Sequence, residues 1–297
     1  MERIGFIGLG IMGKPMSHNL LKAGYPVVVY DVTAAPVMEL VRSGASGAGS
    51  CREVASQSDI IVTMLPDGPD VEAAVLGPNG VLEGAQAGSA VVDMSSISPI
   101  VAQKVAAACE AKGVDFVDAP VSGGEPKAID ATLAIMAGGK QAVFERVKPV
   151  LDKLGSSVTL TGAVGAGNVT KLANQIMVAC NIAAMGEALV LATKAGLDPE
   201  VVFNAVKGGL AGSTVLNAKA PMVIARNFKP GFRIRLHQKD LRNALLAAES
   251  LKVSLPMTSM VQQTLIALMN EGKGDLDHSA IVNFVEDMAG VETKKPS

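Results

Sequence analysis

Apolar and polar positions change their rhythm several times along the chain. Residues 3–7 form a short apolar run that ends in glycine, a strand signal. Residues 13–23 carry apolar side chains at helical spacing and stop at Gly24, which tolerates the left-handed backbone that commonly ends a helix. Residues 27–30 are continuously apolar, β-branched and too few for a helix, so a second strand is expected. Ser50 with Glu53 reads as a capping box opening a short helix. Further strands are expected over 60–65, 90–94, 116–117, 133–137 and 157–160, with helices over 99–111 and 141–154. Short buried strands alternating with helices predict a mostly parallel sheet covered on both faces.

The rhythm changes near Gly162. Residues 165–195 read as one long helix stopped by Gly196, and helical segments follow over 199–206, 216–225, 236–251, 259–271 and 278–288. No strand alternation is visible there, and residues 292–297 read as a frayed polar tail. The expected architecture is an α/β N-terminal domain over 1–163 and an all-α C-terminal domain over 164–292, beginning with the long interdomain helix. Its longest apolar stretch, 176–192, carries Asn181 and Glu187, so a helix buried in a soluble protein is expected rather than a membrane span.

Composition narrows the function classes. At 49% hydrophobic and 18% charged residues, a disordered chain is excluded. A net charge of −2, no Trp and 3% aromatic residues argue against a nucleic-acid binder. Cys51, Cys109 and Cys180 are too few and too scattered for a disulfide framework, and no signal peptide is read, which suits a cytoplasmic location. His18, His237 and His278 lack metal-ligand spacing, so a metal-independent protein is expected. Residues 1–164 carry −5 and residues 165–297 carry +3, concentrated in Arg226, Lys229, Arg233, Arg235, Lys239 and Arg242. On charge alone this stretch reads first as a solvated face, and second as a rim that draws in an anionic ligand.

Gly8-Leu9-Gly10-Ile11-Met12-Gly13 fits G-x-G-x-x-G between an expected strand and an expected helix, and Asp31 closes the next strand. That context makes it a Rossmann dinucleotide fingerprint. Gly8 permits the tight turn, Gly10 lets a pyrophosphate approach the backbone, and Gly13 lets helix and sheet pack closely. Asp31 is expected to accept from ribose hydroxyls, and Val32 and Thr33 offer no cation to a 2′-phosphate. NAD(H) is therefore expected over NADP(H).

Several separate motifs resemble the β-hydroxyacid dehydrogenase family, which includes 3-hydroxyisobutyrate dehydrogenase. They are the N-terminal signature at 4–13, Asp118-Ala119-Pro120-Val121-Ser122-Gly123-Gly124, the segment 165–174 containing Lys171 and Asn174, and Lys239-Asp240-Leu241. The resemblance implies a nicotinamide-dependent oxidoreductase of a small carboxylate-bearing aldehyde, in which Lys171 is the proton donor. It places Ser122, Gly123, Gly124 and Asn174 on the substrate, with Phe232 and Asp240 closing the pocket. It places Leu65, Pro66, Ser96 and Lys239 beside the cofactor. Where the family often has a second asparagine, this chain has Gln175. The stretches 93–97, 208–213 and 226–234 resemble the branch that reduces tartronate semialdehyde to D-glycerate. Methylmalonate semialdehyde, succinate semialdehyde and glyoxylate are the alternatives. A non-catalytic cofactor-binding regulator is the rival class, which Lys171 beside Asn174 argues against. The apolar long helix also predicts a homodimer or homotetramer.

Overall fold

Runs of four β-branched or apolar residues become strands buried on both faces. In the computed structural model, which describes residues 1–295, the chain divides into two compact units, Met1–Lys171 and Leu172–Ser297.

The first unit runs β1 (Ile4–Ile7), α1 (Gly13–Lys22), β2 (Val27–Tyr30), α2 (Ala34–Arg42), β3 (Ser46–Gly47), α3 (Cys51–Ser56), β4 (Ile60–Thr63), α4 (Gly68–Leu76), α5 (Val81–Gly84), β5 (Ala90–Asp93) and α6 (Pro99–Glu110). It continues with β6 (Asp115–Asp118), β7 (Val121–Ser122), α7 (Gly124–Ile129), β8 (Leu133–Gly139), α8 (Gln141–Leu151), β9 (Gly155–Gly162) and the start of α9 (Ala166–Lys194). The sheet order is β3-β2-β1-β4-β5-β6-β8-β7, with β9 beside β8. Pairings are parallel except those of β8 with β6 and β7. Successive strand residues point to opposite faces. Ile4, Phe6, Ile60 and Val62 enter one core with Met16 and Leu20, while Ile7 and Ile61 enter another with Val54, Val71 and Val105. Each face is thus covered by helices, which is what a parallel sheet requires.

From β1 the chain winds outward to β2 and β3, then returns to β4 on the other side of β1. The reversal leaves a crevice at the carboxyl ends of β1 and β4, where open α/β sheets bind ligands.

The second unit holds the rest of α9, then α10 (Pro199–Val206), α11 (Thr214–Ile224), α12 (Ile234–Leu251), α13 (Pro256–Asn270) and α14 (Val282–Ala289), with 3-10 turns at Lys273–Asp275 and His278–Ile281. Among the described residues it contains no strand, only an isolated bridge between Arg233 and Asp277. Ala179, Ile182, Met185 and Leu189 line the buried side of α9 and pack with Phe203, Leu216, Leu241 and Leu265.

Several expectations need correction. The tail is docked rather than frayed as far as it is described. Thr293 is fully buried, and its N–H donates to Glu286 Oε1 at 2.7 Å. Residues 296–297 lie outside the described residues. The capping box is displaced by one residue. Ser50 accepts from the Glu53 N–H at 3.1 Å, but Glu53 Oε2 accepts from Gly49 rather than from Ser50. Helix α9 is the one described helix long and apolar enough to cross a membrane. As expected, it is a core helix, one side packed in the second unit and Met177 and Leu191 exposed on the other. By compactness the first turn of α9, bonded to Asp118, goes with the sheet unit, which runs to Lys171.

Candidate active site

The glycine loop is fixed by its neighbours. Gly8 follows β1 at φ +94°, and a Cβ there would strike the Met64 carbonyl and the Leu65 side chain. A Cβ on Gly13 would strike the Gly8 carbonyl oxygen and the Phe6 ring, so α1 can lie against β1 only with glycine there. Gly10 is different: a Cβ would meet nothing within 4 Å. Gly10 lies just before α1, whose first backbone N–H groups lack intrahelical acceptors. A dinucleotide pyrophosphate fits this cradle. Asp31, after β2, accepts from the Leu9 N–H at 2.6 Å and from the Thr33 N–H at 2.7 Å. Its carboxylate thus braces the loop.

A second group of polar residues closes the carboxyl ends of β4, β5 and β6. The Leu65 N–H donates to Ser95 Oγ at 2.9 Å. The Ser95 N–H and the Thr63 hydroxyl both donate to Asp93 Oδ1, at 3.2 and 2.8 Å. Asp93 stands in register with Asp118 on the adjacent strand. Asp118 Oδ1 accepts from the Gly165 N–H at 2.7 Å, and Oδ2 accepts from the Asn168 N–H at 2.8 Å. Asn168 Oδ1 accepts from the Ile97 N–H at 3.0 Å. A carboxylate from β6 therefore caps the first turn of α9, and Lys171 follows Asn168 by one helical turn. Lys171 is buried, 6% exposed. Burial raises the Asp118 carboxyl above its ordinary range and pushes Asp93 up to about 6.

Leu65 lies against Gly8, and half-buried Ser96 sits between Ser95 and Ile97, both held in this network. Pro66 is exposed beside Leu65. Ser122 belongs to β7 rather than to a loop, paired with Ala134 of β8. Gly123 and Gly124 follow with φ +140° and +68°, and the Lys127 side chain occupies the space a Cβ on Gly123 would need. Asn19 of α1 donates to the Ala128 carbonyl at 2.8 Å, fastening α7 to the helix that carries the glycine loop.

In the second unit, Asn174 Nδ2 donates to Gln175 Oε1 at 2.8 Å, and Gln175 Nε2 donates to Asp240 Oδ2 at 2.6 Å. Lys239 Nζ lies 3.1 Å from Asp240 Oδ1, an ion pair without the alignment of a hydrogen bond. His237 Nε2 contacts the Gln175 carbonyl at 3.1 Å, and its Nδ1 lies 2.9 Å from Nδ1 of His278. The Phe232 ring meets both imidazoles edge-on, with centroids 5.7 and 5.3 Å away. Asp277 holds this corner. It is fully buried, accepts from the Gly231, Phe232 and Ser279 N–H groups, and pairs with Lys219 at 3.0 Å. Burial alone would raise its carboxyl, but His278, Lys219 and the backbone donors outweigh that and hold it at about 2.

The first unit thus gathers Gly8, Leu9, Asp31, Leu65 and Ser96 at adjoining strand ends and bonds the start of the Lys171 helix to them. The second gathers Asn174, Phe232, Lys239 and Asp240 around Gln175 and His237. Sequence reasoning missed the bracing roles of Asp93, Asp118 and Asn168, and the hub formed by Gln175 and His237. A signal existed for two of them, because Asp93 and Asp118 each close a buried apolar strand as an acidic residue. The basic stretch is largely neutralised: Arg226 pairs with Glu286 and Glu292, Arg233 and Arg235 with Asp275, and Lys239 with Asp240. Among the described residues no group of three or more His, Cys, Asp or Glu is arranged to hold a metal.

Residues 3–162 match the NAD binding domain of 6-phosphogluconate dehydrogenase, and residues 165–285 match the NAD-binding family of NADP-dependent 3-hydroxyisobutyrate dehydrogenase. The 2-hydroxy-3-oxopropionate reductase of Escherichia coli is 48% identical, over 97% of this chain and 98% of its own. The chain belongs to the β-hydroxyacid dehydrogenases, the 3-hydroxyisobutyrate dehydrogenase-like family. Another of these dehydrogenases, 2-(hydroxymethyl)glutarate dehydrogenase of Eubacterium barkeri, is 43% identical over 97% of this chain and 96% of its own. The solved 3-hydroxyisobutyrate dehydrogenase of Mycobacterium tuberculosis, with L-serine, superposes with a TM-score of 0.89 at 33% identity, covering 96% of this chain and 99% of that one. As a β-hydroxyacid dehydrogenase the chain is an oxidoreductase with an NAD-binding Rossmann domain.

Proposed function

We propose that this β-hydroxyacid dehydrogenase reduces tartronate semialdehyde to D-glycerate with NADH. The observation that carries the reaction type is Lys171, a buried lysine one turn beyond the capped start of α9. The name of the Escherichia coli relative, 48% identical from end to end, supports the substrate.

The nicotinamide, when bound, supplies the hydride. The residues of this chain supply the rest. As the aldehyde carbon is reduced its oxygen gains charge, which an ammonium beside it stabilises and then neutralises by giving up a proton. Lys171 Nζ has that role, and in reverse the neutral amine takes the hydroxyl proton. Asn174 shares a helix face with Lys171 and orients the substrate. The Ser122 hydroxyl and the Gly123 and Gly124 N–H groups hold the carboxylate. Asp31 favours NADH, since a 2′-phosphate there would face a carboxylate with no cation at Val32 or Thr33. A cytoplasmic location and a homodimer or homotetramer complete the proposal.

Initial rates with tartronate, methylmalonate and succinate semialdehydes and glyoxylate, each with NADH and NADPH, test this reading. The expected result is the highest kcat/KM for tartronate semialdehyde with NADH. A lead for another aldehyde sinks the substrate, and a lead with NADPH sinks the cofactor preference. Lys171→Ala should lose roughly 10²- to 10⁴-fold in kcat with an unchanged circular dichroism spectrum. Near-normal turnover would remove Lys171 from the mechanism.

A further inference from the structure

The side chain of Gln175 is 4% exposed and bonded at both ends of its amide. The donor and acceptor directions of that chain of bonds are forced. Asp240, with the Lys239 ammonium 3.1 Å from Oδ1, presents a carboxylate that only accepts. Gln175 must therefore turn Nε2 toward Asp240, at 2.6 Å. Its Oε1 is then left to face Asn174, and an amide oxygen only accepts. Asn174 must in turn donate Nδ2, at 2.8 Å. The outcome is a fixed amide. Asn174 spends an N–H inward and keeps its carbonyl oxygen, Oδ1, which makes no hydrogen bond among the described residues.

We propose that Gln175 is a positioning residue that fixes the amide of Asn174 so that Oδ1 accepts a hydrogen bond from a substrate hydroxyl, making the enzyme select 2-hydroxy-3-oxo acids. This rests on the function proposed above and adds the group by which the substrate is chosen. An aldehyde acid with a methyl group in place of the 2-hydroxyl would leave Oδ1 without a donor. A site built around a hydroxyl rejects the analogue that lacks it, because the site's own polar atom loses its partner.

The test compares kcat/KM for tartronate semialdehyde with that for methylmalonate semialdehyde, which differ by hydroxyl against methyl at C2. Gln175→Met keeps the length of the side chain but frees Asn174 to rotate its amide. The hydroxyl preference should fall about tenfold, the worth of one hydrogen bond. The loss should come from the hydroxyl substrate, with the methyl substrate changed less than about threefold. Gln175→Glu still offers Asn174 an acceptor, so it should keep the preference even where both rates decline. Equal losses on both substrates in Gln175→Met would make Gln175 a packing residue and overturn the proposal. Loss of the preference in Gln175→Glu would also overturn it, and that reading stands even where the Met variant does not fold. Wild-type enzyme that fails to turn over tartronate semialdehyde would instead overturn the function on which this inference rests.

Discussion

Asp93 is a carboxyl group that water does not reach. One oxygen takes the Thr63 hydroxyl and the Ser95 N–H, and the other is buried with no hydrogen-bond partner. Burial pushes its pKa from 3.8 up to about 6. The folded protein therefore prefers the protonated form. This group's contribution to stability is full below pH 3.8 and fades as pH rises through about 6. Above that the charged form costs about 3 kcal/mol at most. Asp93→Asn keeps an acceptor for Thr63 and Ser95 and carries no charge. It should melt at a higher temperature than the parent at pH 7.5 and at nearly the same temperature at pH 4. A variant less stable at pH 7.5 would mean that the ionised carboxylate has an anchoring role instead.

Helix α9 starts on a carboxylate lent by the sheet. Asp118 satisfies the Gly165 and Asn168 N–H groups, two donors that a helix start leaves open. Asp118→Asn can accept at only one of its two side-chain atoms, so one buried N–H loses its partner. The expected loss is about 1–3 kcal/mol in urea unfolding. A lower kcat should accompany it, since Lys171 rides on that turn, while NADH affinity stays as it was. Unchanged kcat with reduced stability would confine Asp118 to support. At this scale the sequence was most readable where glycine punctuates apolar runs. The second strand and the helix after Asp198 fall where expected, and α9 ends before Gly196, which has φ +83°. Helix α2 was not legible because Pro36 interrupts its pattern early. Strands β3 and β7 have two residues each and exist only through partners distant in the chain, Val28 and Val29 for one and Ala134 and Ile135 for the other. The candidate site divides the same way. Lys171 and the glycine loop were visible because they form local motifs. The Gln175–Asp240 bond was not, because 65 residues separate its ends.

At the scale of the molecule, α9 leaves an uncovered stripe. Met177 is 61% exposed and Leu191 is 73% exposed, with Asn181, Ala184 and Ala188 exposed between them on the same side. Spacings of four and three residues return to one helix face, and a stripe that is apolar but for Asn181 favours association. Light scattering at micromolar concentration should give a particle at least twice the 30.4 kDa chain. Replacing Met177 and Leu191 together by Glu should reduce it. A monomeric parent would remove the expected assembly. The same helix also fixes a distance by counting. Lys171 and Asn174 are separated by whole residues on a continuous helix, not by a turn that can stretch. One inserted residue between them would swing everything beyond it by about 100° and lift it by about 1.5 Å. Loops can absorb added length at little cost, but here a single added residue would aim the amide away from the lysine's side of the helix. The stretch from Lys171 to Gln175 is therefore a ruler: its residues keep their bearings only while its length does not drift.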